Sequence, residues 1–361
     1  MITFILPILY GFLGISALIA FHELGHFLFA KLFNVRAPSF SIGFGPRLIT
    51  KKIGETEFAL SAIPFGGYVE IAGMVEPGQG DQLYQNDESG RSFGQKPYYQ
   101  QFLILMGGII FNILFAAAIF FYLFCTGIPA NSLLQNQASK PIVATIVEDS
   151  PAAKSGIKIG DMIFEVNGQK VETVGEFINI LQQNSAPSIT VLKKEKDLED
   201  RSLVTINFES DVLWERRKIG VHFESEAIES QPIFEALQNS VIETWRWTKK
   251  IVWDFVGIVK NGEFKHVAGP IAIIGIAGKS AIVGYKFLLI LLALISINLA
   301  ILNLIPFPIL DGGQLLFYTI EAIIGRPIPA KIRETIHIIT WVAFIALFLY
   351  LSTKDILRLF S

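Results

Sequence analysis

Cysteine is nearly absent from this chain of 361 residues: Cys125 is the only one. A single thiol excludes an intrachain disulfide and any metal site built from cysteines. No block of like charges occurs, and 30 basic residues nearly balance 32 acidic ones, for a formal net charge of -2. That balance argues against a nucleic-acid partner. No basic n-region precedes the first apolar stretch, and cleavage near residues 17–20 would strand the motif that ends it at a new N-terminus. The stretch is therefore read as a retained helix and not as a signal peptide. Charge of either sign is missing from residues 4–21, 102–125 and 287–310.

What is present is apolar, at 52% hydrophobic residues. Residues 102–125 and 287–310 are each long enough to cross a bilayer, which takes about 20 apolar residues. Residues 4–30 cross only if the polar turn within them is sheltered by protein. Residues 336–351 form a shorter fourth segment that spans with help from its flanks. The expected fold is a membrane α-helical bundle of about four transmembrane helices. Lys31, Arg36, Arg47, Lys51 and Lys52 follow the first segment, and Arg326, Lys331 and Arg333 follow the third. Basic loops favour the cytoplasmic side, so the long stretch between the second and third segments is expected outside it.

The polar turn in the first segment is His22-Glu23-Leu24-Gly25-His26. On an α-helix, residues four apart share a face, about 6 Å from one another. Two imidazoles so placed can share one Zn²⁺, and Glu23 between them can act on the metal's water as general base. Ionisable groups at membrane depth are costly and usually functional. The bland alternative is a helix end whose histidines face headgroups or water.

Catalytic zinc usually takes three protein ligands and a water. Asp311 is the candidate third ligand. It ends the third uncharged run, in Asn303-Leu304-Ile305-Pro306-Phe307-Pro308-Ile309-Leu310-Asp311-Gly312-Gly313. The prolines break the helix and the glycines allow close backbone approach. A helix-capping aspartate at the membrane surface is the alternative. His222 is read as structural, and His266 has no second ligand beside it.

Residues 39–71 alternate apolar and polar side chains among glycines and aromatics, a pattern of membrane-associated β-hairpins, with residues 46–54 able to turn. A strand edge within a bilayer must be covered by protein or water. An open edge beside the metal site could pair with an extended substrate strand; an unpartnered surface hairpin is the other reading. Residues 76–96 read as a polar loop. Residues 141–224 have soluble composition: strands at 142–147, 189–192, 204–208 and 219–223, a helix at 174–183, and an Asn167-Gly168 turn. Residues 232–259 form an amphipathic helix with Trp245, Trp247 and Trp253 beside Arg246, Lys249 and Lys250, suited to the membrane interface or to packing on the protein. Residues 265–284 read as a glycine-rich apolar loop.

The Ser150-Pro151-Ala152 run leading to Gly160-Asp161, with the following Asn-Gly, resembles a bacterial PDZ domain. More broadly, the chain resembles the site-2 protease family of intramembrane zinc metalloproteases, closest to its bacterial branch. The resemblance rests on the His-Glu-x-x-His run, Phe44-Gly45-Pro46, residues 63–69, the single PDZ domain, Gly269-Pro270 and residues 303–313, in that order. It implies a first half of the protease core at 1–130, a PDZ domain inserted at 131–226, and a second half at 227–361. It implies that His22, His26 and Asp311 bind zinc, that Glu23 is the catalytic base, and that Asn303 acts at the active site; Asn298 is a weaker candidate of that kind. Implied substrates are single-span membrane proteins, such as anti-sigma factors or remnant signal peptides, first trimmed by an upstream site-1 protease. The implied location is the bacterial cytoplasmic membrane, with the PDZ domain outside. Met106-Gly107-Gly108-x-x-x-Asn112 departs from the family's usual Ala-Gly-Pro-x-x-Asn, and Gln314 stands where histidine is frequent. Two other classes remain at this stage: a non-enzymatic PDZ-bearing receptor with structural zinc, and a metal transporter.

Overall fold

The computed structural model describes residues 2–74, 90–131, 134, 139–147, 150–183, 188–192, 203–207, 219–224, 226–261 and 269–360. Residues 76–89 of the loop expected at 76–96, the end of the strand at Phe208, and His266 lie outside the described residues, and the rest of that loop carries a single 3-10 turn at Phe93–Gln95. The chain divides into two compact units, Met1–Cys125 with Pro232–Ser361, and Thr126–Gln231.

The first unit opens with helix α1, Ile2–Leu32. It stops where Asn34 takes a left-handed conformation (φ 53°). The Asn34 N–H then donates to the Lys31 carbonyl and the Val35 N–H to the Ala30 carbonyl, the two bonds of a Schellman cap. Strands β1 (Ser39–Ile53) and β2 (Thr56–Glu70) follow and pair antiparallel. Several hairpins were expected here. The structure has one continuous hairpin, with its turn at Gly54 and Glu55. The chain also reverses direction between Ile42 and Arg47, where Gly43 and Gly45 take φ 88° and 82°: residues 39–42 run the same way as 57–60 beside them, whereas 47–53 run opposite to 56–61. The strands fold over, so Phe40 stands opposite both Phe58 and Val69, and Ser41 opposite both Ala59 and Tyr68. Residues 39–42 therefore lie inside the sheet and residues 67–70 lie at an edge. Phe27 of α1 packs against Phe40 and Phe58, with ring centroids 5.6 Å away in each case, and fixes the sheet on the helix.

At the hairpin turn, Glu55 accepts from Lys31 (2.6 Å) and from Arg91 (2.7 Å). The Arg91 hydrogen bond, with help from Lys31, holds the Glu55 carboxyl down at about 2 against burial. A carboxyl lowered on folding contributes stability above its unfolded pKa of 4.5, and that contribution disappears as pH falls toward 2. Partly exposed pairs contribute about 0.2–1 kcal/mol each. Glu55→Gln should therefore lower the melting temperature slightly at neutral pH, and the two melting curves should converge between pH 4.5 and 2. A gap that stays constant over that window contradicts the role.

Helix α2 covers Tyr98–Thr126. In the other half of this unit, α5 (Ile233–Asn261) turns two faces to different surroundings. Trp247 is buried and donates Nε1–H to Glu243 (2.8 Å), whereas Phe234, Trp245 and Trp253 are exposed. Residues 265–284 were expected as a loop, but Pro270–Val283 form helix α6. Proline suits the first turn of a helix, and the small residues that suggested a loop serve close packing instead. Gly11 of α1 has no room for a Cβ against the Ile274 carbonyl and Gly278. The buried Asp355 carboxylate accepts from the Gly269 and Ala272 N–H groups (3.2 and 2.9 Å), capping α6 from another helix.

Helix α7 runs Tyr285–Leu304 and ends six residues earlier than the uncharged run does. Pro306 and Pro308 cannot continue it. The chain folds back, and α8 (Asp311–Ile324) starts at the aspartate itself. Gly312 and Gly313 lie against the carbonyls of Leu304 and Phe307, where a Cβ would not fit. Helix α9 spans Ala330–Phe360. Among the described residues, four helices are long and apolar enough to cross a membrane: Leu9–Leu32, Tyr98–Thr126, Tyr285–Leu304 and Lys331–Leu357. The last is longer than the apolar run alone suggested, and most of its surface is exposed, as expected of a helix that meets lipid.

The second unit has its own core of Val143, Ile163, Val166, Phe177, Ile189, Val191 and Phe223. Strands β3 (Val143–Ile146) and β8 (Val221–Phe223) pair antiparallel. Strands β4 (Met162–Val166), β5 (Gln169–Lys170), β6 (Ser188–Leu192) and β7 (Leu203–Asn207) form a sheet in the order β5-β4-β6-β7. Asn167 and Gly168, at φ 52° and 76°, make the tight β4–β5 turn. Ser150 accepts from the Ala153 N–H and caps the short helix α3, Pro151–Lys154. Helix α4, Val174–Gln183, closes the core.

Candidate metal centre

Residues from three distant parts of the first unit meet beside α1. His22 and His26 lie one turn apart on that helix and are buried, at 7% and 4% exposure. The first residue of α8 brings Asp311 to them. Its Oδ2 lies 3.2 Å from His22 Nε2 and 3.5 Å from His26 Nε2, and the two Nε2 atoms are 3.2 Å apart. Four ligands at about 2.0–2.1 Å around tetrahedral zinc stand about 3.3–3.4 Å from one another. The three atoms therefore already lie close to three corners of a zinc tetrahedron. Asp311 Oδ2 is buried and no donor hydrogen-bonds to it. A carboxylate oxygen in that position, facing two imidazole nitrogens, fits a cation. Among the described residues this is the one group of three or more such side chains placed to hold a metal.

Glu23 projects to the side of this cluster. Its Oε2 accepts from the Val69 N–H at 3.2 Å. Among the described residues no further strand pairs with residues 67–70, so the carboxylate lies against an open edge of the sheet. Asn303, near the end of α7, is buried and places Nδ2 3.4 Å from His22 Nε2. Asn298 is not in the cluster: it lies on the exposed side of α7 and donates to the Leu294 carbonyl.

The other nitrogen of each imidazole points to α2. His26 Nδ1 lies 2.8 Å from the Ile104 carbonyl, and His22 Nδ1 lies 3.0 Å from Asn112 Nδ2. This proximity depends on glycine. Gly25 of α1 meets Gly107 of α2 backbone to backbone, and a Cβ on Gly108 would overlap both imidazole rings. Motif reasoning did not assign Ile104, Gly107, Gly108 or Asn112 to the site. The available signal was a glycine pair and one asparagine in an otherwise apolar helix.

The profile of peptidase family M50 matches residues 10–348. A candidate zinc metalloprotease of Clostridium perfringens is 31% identical, over 97% of this chain and 98% of its own length. Another, from Brucella suis, is 32% identical over 90% of this chain and 89% of the relative. The zinc metalloprotease RasP of Geobacillus kaustophilus is 27% identical over 96% of each chain.

Proposed function

Because the chain belongs to peptidase family M50, the site-2 protease family, and is an intramembrane zinc protease, we propose that His22, His26 and Asp311 hold its zinc and that Glu23 is its base. The observation that carries this is the near-tetrahedral set of two Nε2 atoms and one Oδ2, with a carboxylate beside it at an open strand edge. Zinc bound there supplies Lewis acidity and a water that ionises near neutral pH, at a pKa of about 7.

The chain's own residues do the rest. The Glu23 carboxylate takes one proton from the attacking water and delivers it to the amine nitrogen as the C–N bond breaks. The water oxygen stays on the new carboxyl group. Asn303 donates from Nδ2 toward the carbonyl oxygen as it gains negative charge. A transmembrane helix hides its carbonyls in its own hydrogen bonds, so the substrate unwinds locally. Residues 67–70 pair with the unwound strand and hold the scissile bond beside Glu23.

Substrates on this reading are single-span membrane proteins, and helix-breaking residues near the scissile bond favour cleavage. The unit at residues 126–231 is a PDZ domain on the outer side of a bacterial cytoplasmic membrane. It either excludes substrates that an upstream protease has not trimmed or binds the new C-terminus of those that it has. Deleting residues 141–224 separates the roles: a filter then admits untrimmed substrate, whereas a receptor loses cleavage.

The test is full-length protein in detergent with a single-span substrate, its fragments mapped by mass spectrometry. Cleavage is expected inside the span, abolished by chelation and restored by zinc. Replacing the substrate's helix-breaking residues with leucine should slow it at least about tenfold, the equivalent of 1.4 kcal/mol. Cleavage outside the span, or at an unchanged rate on the leucine substrate, contradicts the reading.

A further inference from the structure

An imidazole that binds a metal through Nε2 carries its proton on Nδ1 and needs an acceptor there. For His26 the acceptor is the Ile104 carbonyl. For His22 the only polar side chain at Nδ1 among the described contacts is Asn112. Asn112 is fully buried, with its Nδ2 toward the ring and its Oδ1 without a partner. Two donors cannot face each other there. A half-turn of the amide about Cβ–Cγ exchanges the two atoms and gives the Nδ1 proton an acceptor. With Nδ2 toward the ring, the proton would instead sit on Nε2, and the lone pair aimed at Asp311 and His26 would be lost to a metal.

We propose that Asn112 is the positioning residue of His22: its Oδ1 accepts the Nδ1 proton and so keeps Nε2 free as the ligand atom. The inference rests on His22 being a ligand. The side chain is well held for this role. Ser296 of α7, itself buried, donates to the Asn112 backbone carbonyl at 2.8 Å, tying α2 to the helix that carries Asn303. Gly108, one helical turn before Asn112, brings α2 against the rings. One helix thereby orients both imidazoles, through a carbonyl for His26 and an amide for His22.

The test compares Asn112→Leu, which removes the acceptor at similar volume, with Asn112→Asp, which keeps an acceptor. The readout is the zinc dissociation constant of the full-length protein in detergent, by competition with a chelator. Loss of such a partner weakens metal binding by about 10–100-fold. That loss is expected for Asn112→Leu, with Asn112→Asp close to wild type. A purely structural role predicts the reverse order, since Leu suits the apolar surroundings and Asp does not. Equal affinity of Asn112→Leu and wild type, or equal loss in both variants, overturns the proposal.

If Asn112→Leu does not fold, ¹⁵N-histidine spectra of zinc-loaded wild type decide. Two metal-bound imidazoles protonated at Nδ1 are expected, and one protonated at Nε2 overturns the proposal. Wild type that binds no zinc would instead remove the ligand reading itself.

Discussion

Glu23→Gln is expected to keep its zinc and to cleave at least about 10²–10⁴-fold more slowly, the contribution of a placed general acid–base group. The two carboxylate oxygens of Glu23 and the side-chain oxygen and nitrogen of glutamine have nearly the same shape. The variant can still accept the Val69 N–H through its amide oxygen, so the strand edge keeps its place. What disappears is a group able to take a proton from water and release it to an amine. Glu23 is not among the three side chains whose ligand atoms converge, so metal content should be unchanged. Zinc by elemental analysis and turnover on one single-span substrate, measured on the same preparation, separate these effects. Loss of zinc would make Glu23 structural, and unimpaired turnover would end its role as base.

Gly108→Val is expected to strip the zinc and the activity together while leaving the rest of the first unit folded. A Cβ at this position would meet His26 Nε2 and the Cε1 and Nδ1 atoms of His22. The imidazoles cannot retreat, because their Nδ1 atoms are held by Ile104 and Asn112 on the same helix. Either α2 moves away and releases both Nδ1 atoms, or the rings rotate and lose the common point with Asp311. Overpacking of this kind costs about 1–3 kcal/mol, tolerable for the fold but not for a site whose atoms must meet within tenths of an ångström. Gly257→Ala is the control. A Cβ there meets nothing within 4 Å, and alanine in a helix interior is favoured over glycine by about 1 kcal/mol. The control should retain zinc and activity. Full zinc occupancy in Gly108→Val would show that the helices do not meet as described.

The chemistry was more legible than the architecture that supports it. His22, Glu23 and His26 are adjacent in sequence, and helical periodicity alone aligns the two imidazoles. Asp311 was legible because a carboxylate at the end of a long uncharged run is conspicuous. Its position at the start of a new helix was half legible: Pro306 and Pro308 announce the break, but not that the chain folds back to begin α8 at the aspartate. Helix α6 was misread because Gly275, Gly278 and Pro270 favour loops locally. Tertiary packing reverses that preference, since α1 needs a smooth neighbour at Gly11 and Asp355 supplies the cap. The hairpin was half legible: the glycines and Pro46 mark where the chain reverses, but not that one continuous hairpin folds back on itself there. Asn112 went unassigned because one polar residue in an apolar helix has no partner until the fold supplies His22, 90 positions away.

Zinc K-edge X-ray absorption on the purified full-length protein tests most directly whether the two imidazoles and Asp311 share one ion. One zinc per chain is expected, surrounded by two imidazole nitrogens at about 2.0–2.1 Å and oxygen ligands at about 2.0–2.2 Å. Protein that takes up no zinc, or zinc bound through one imidazole or none, would contradict the shared site.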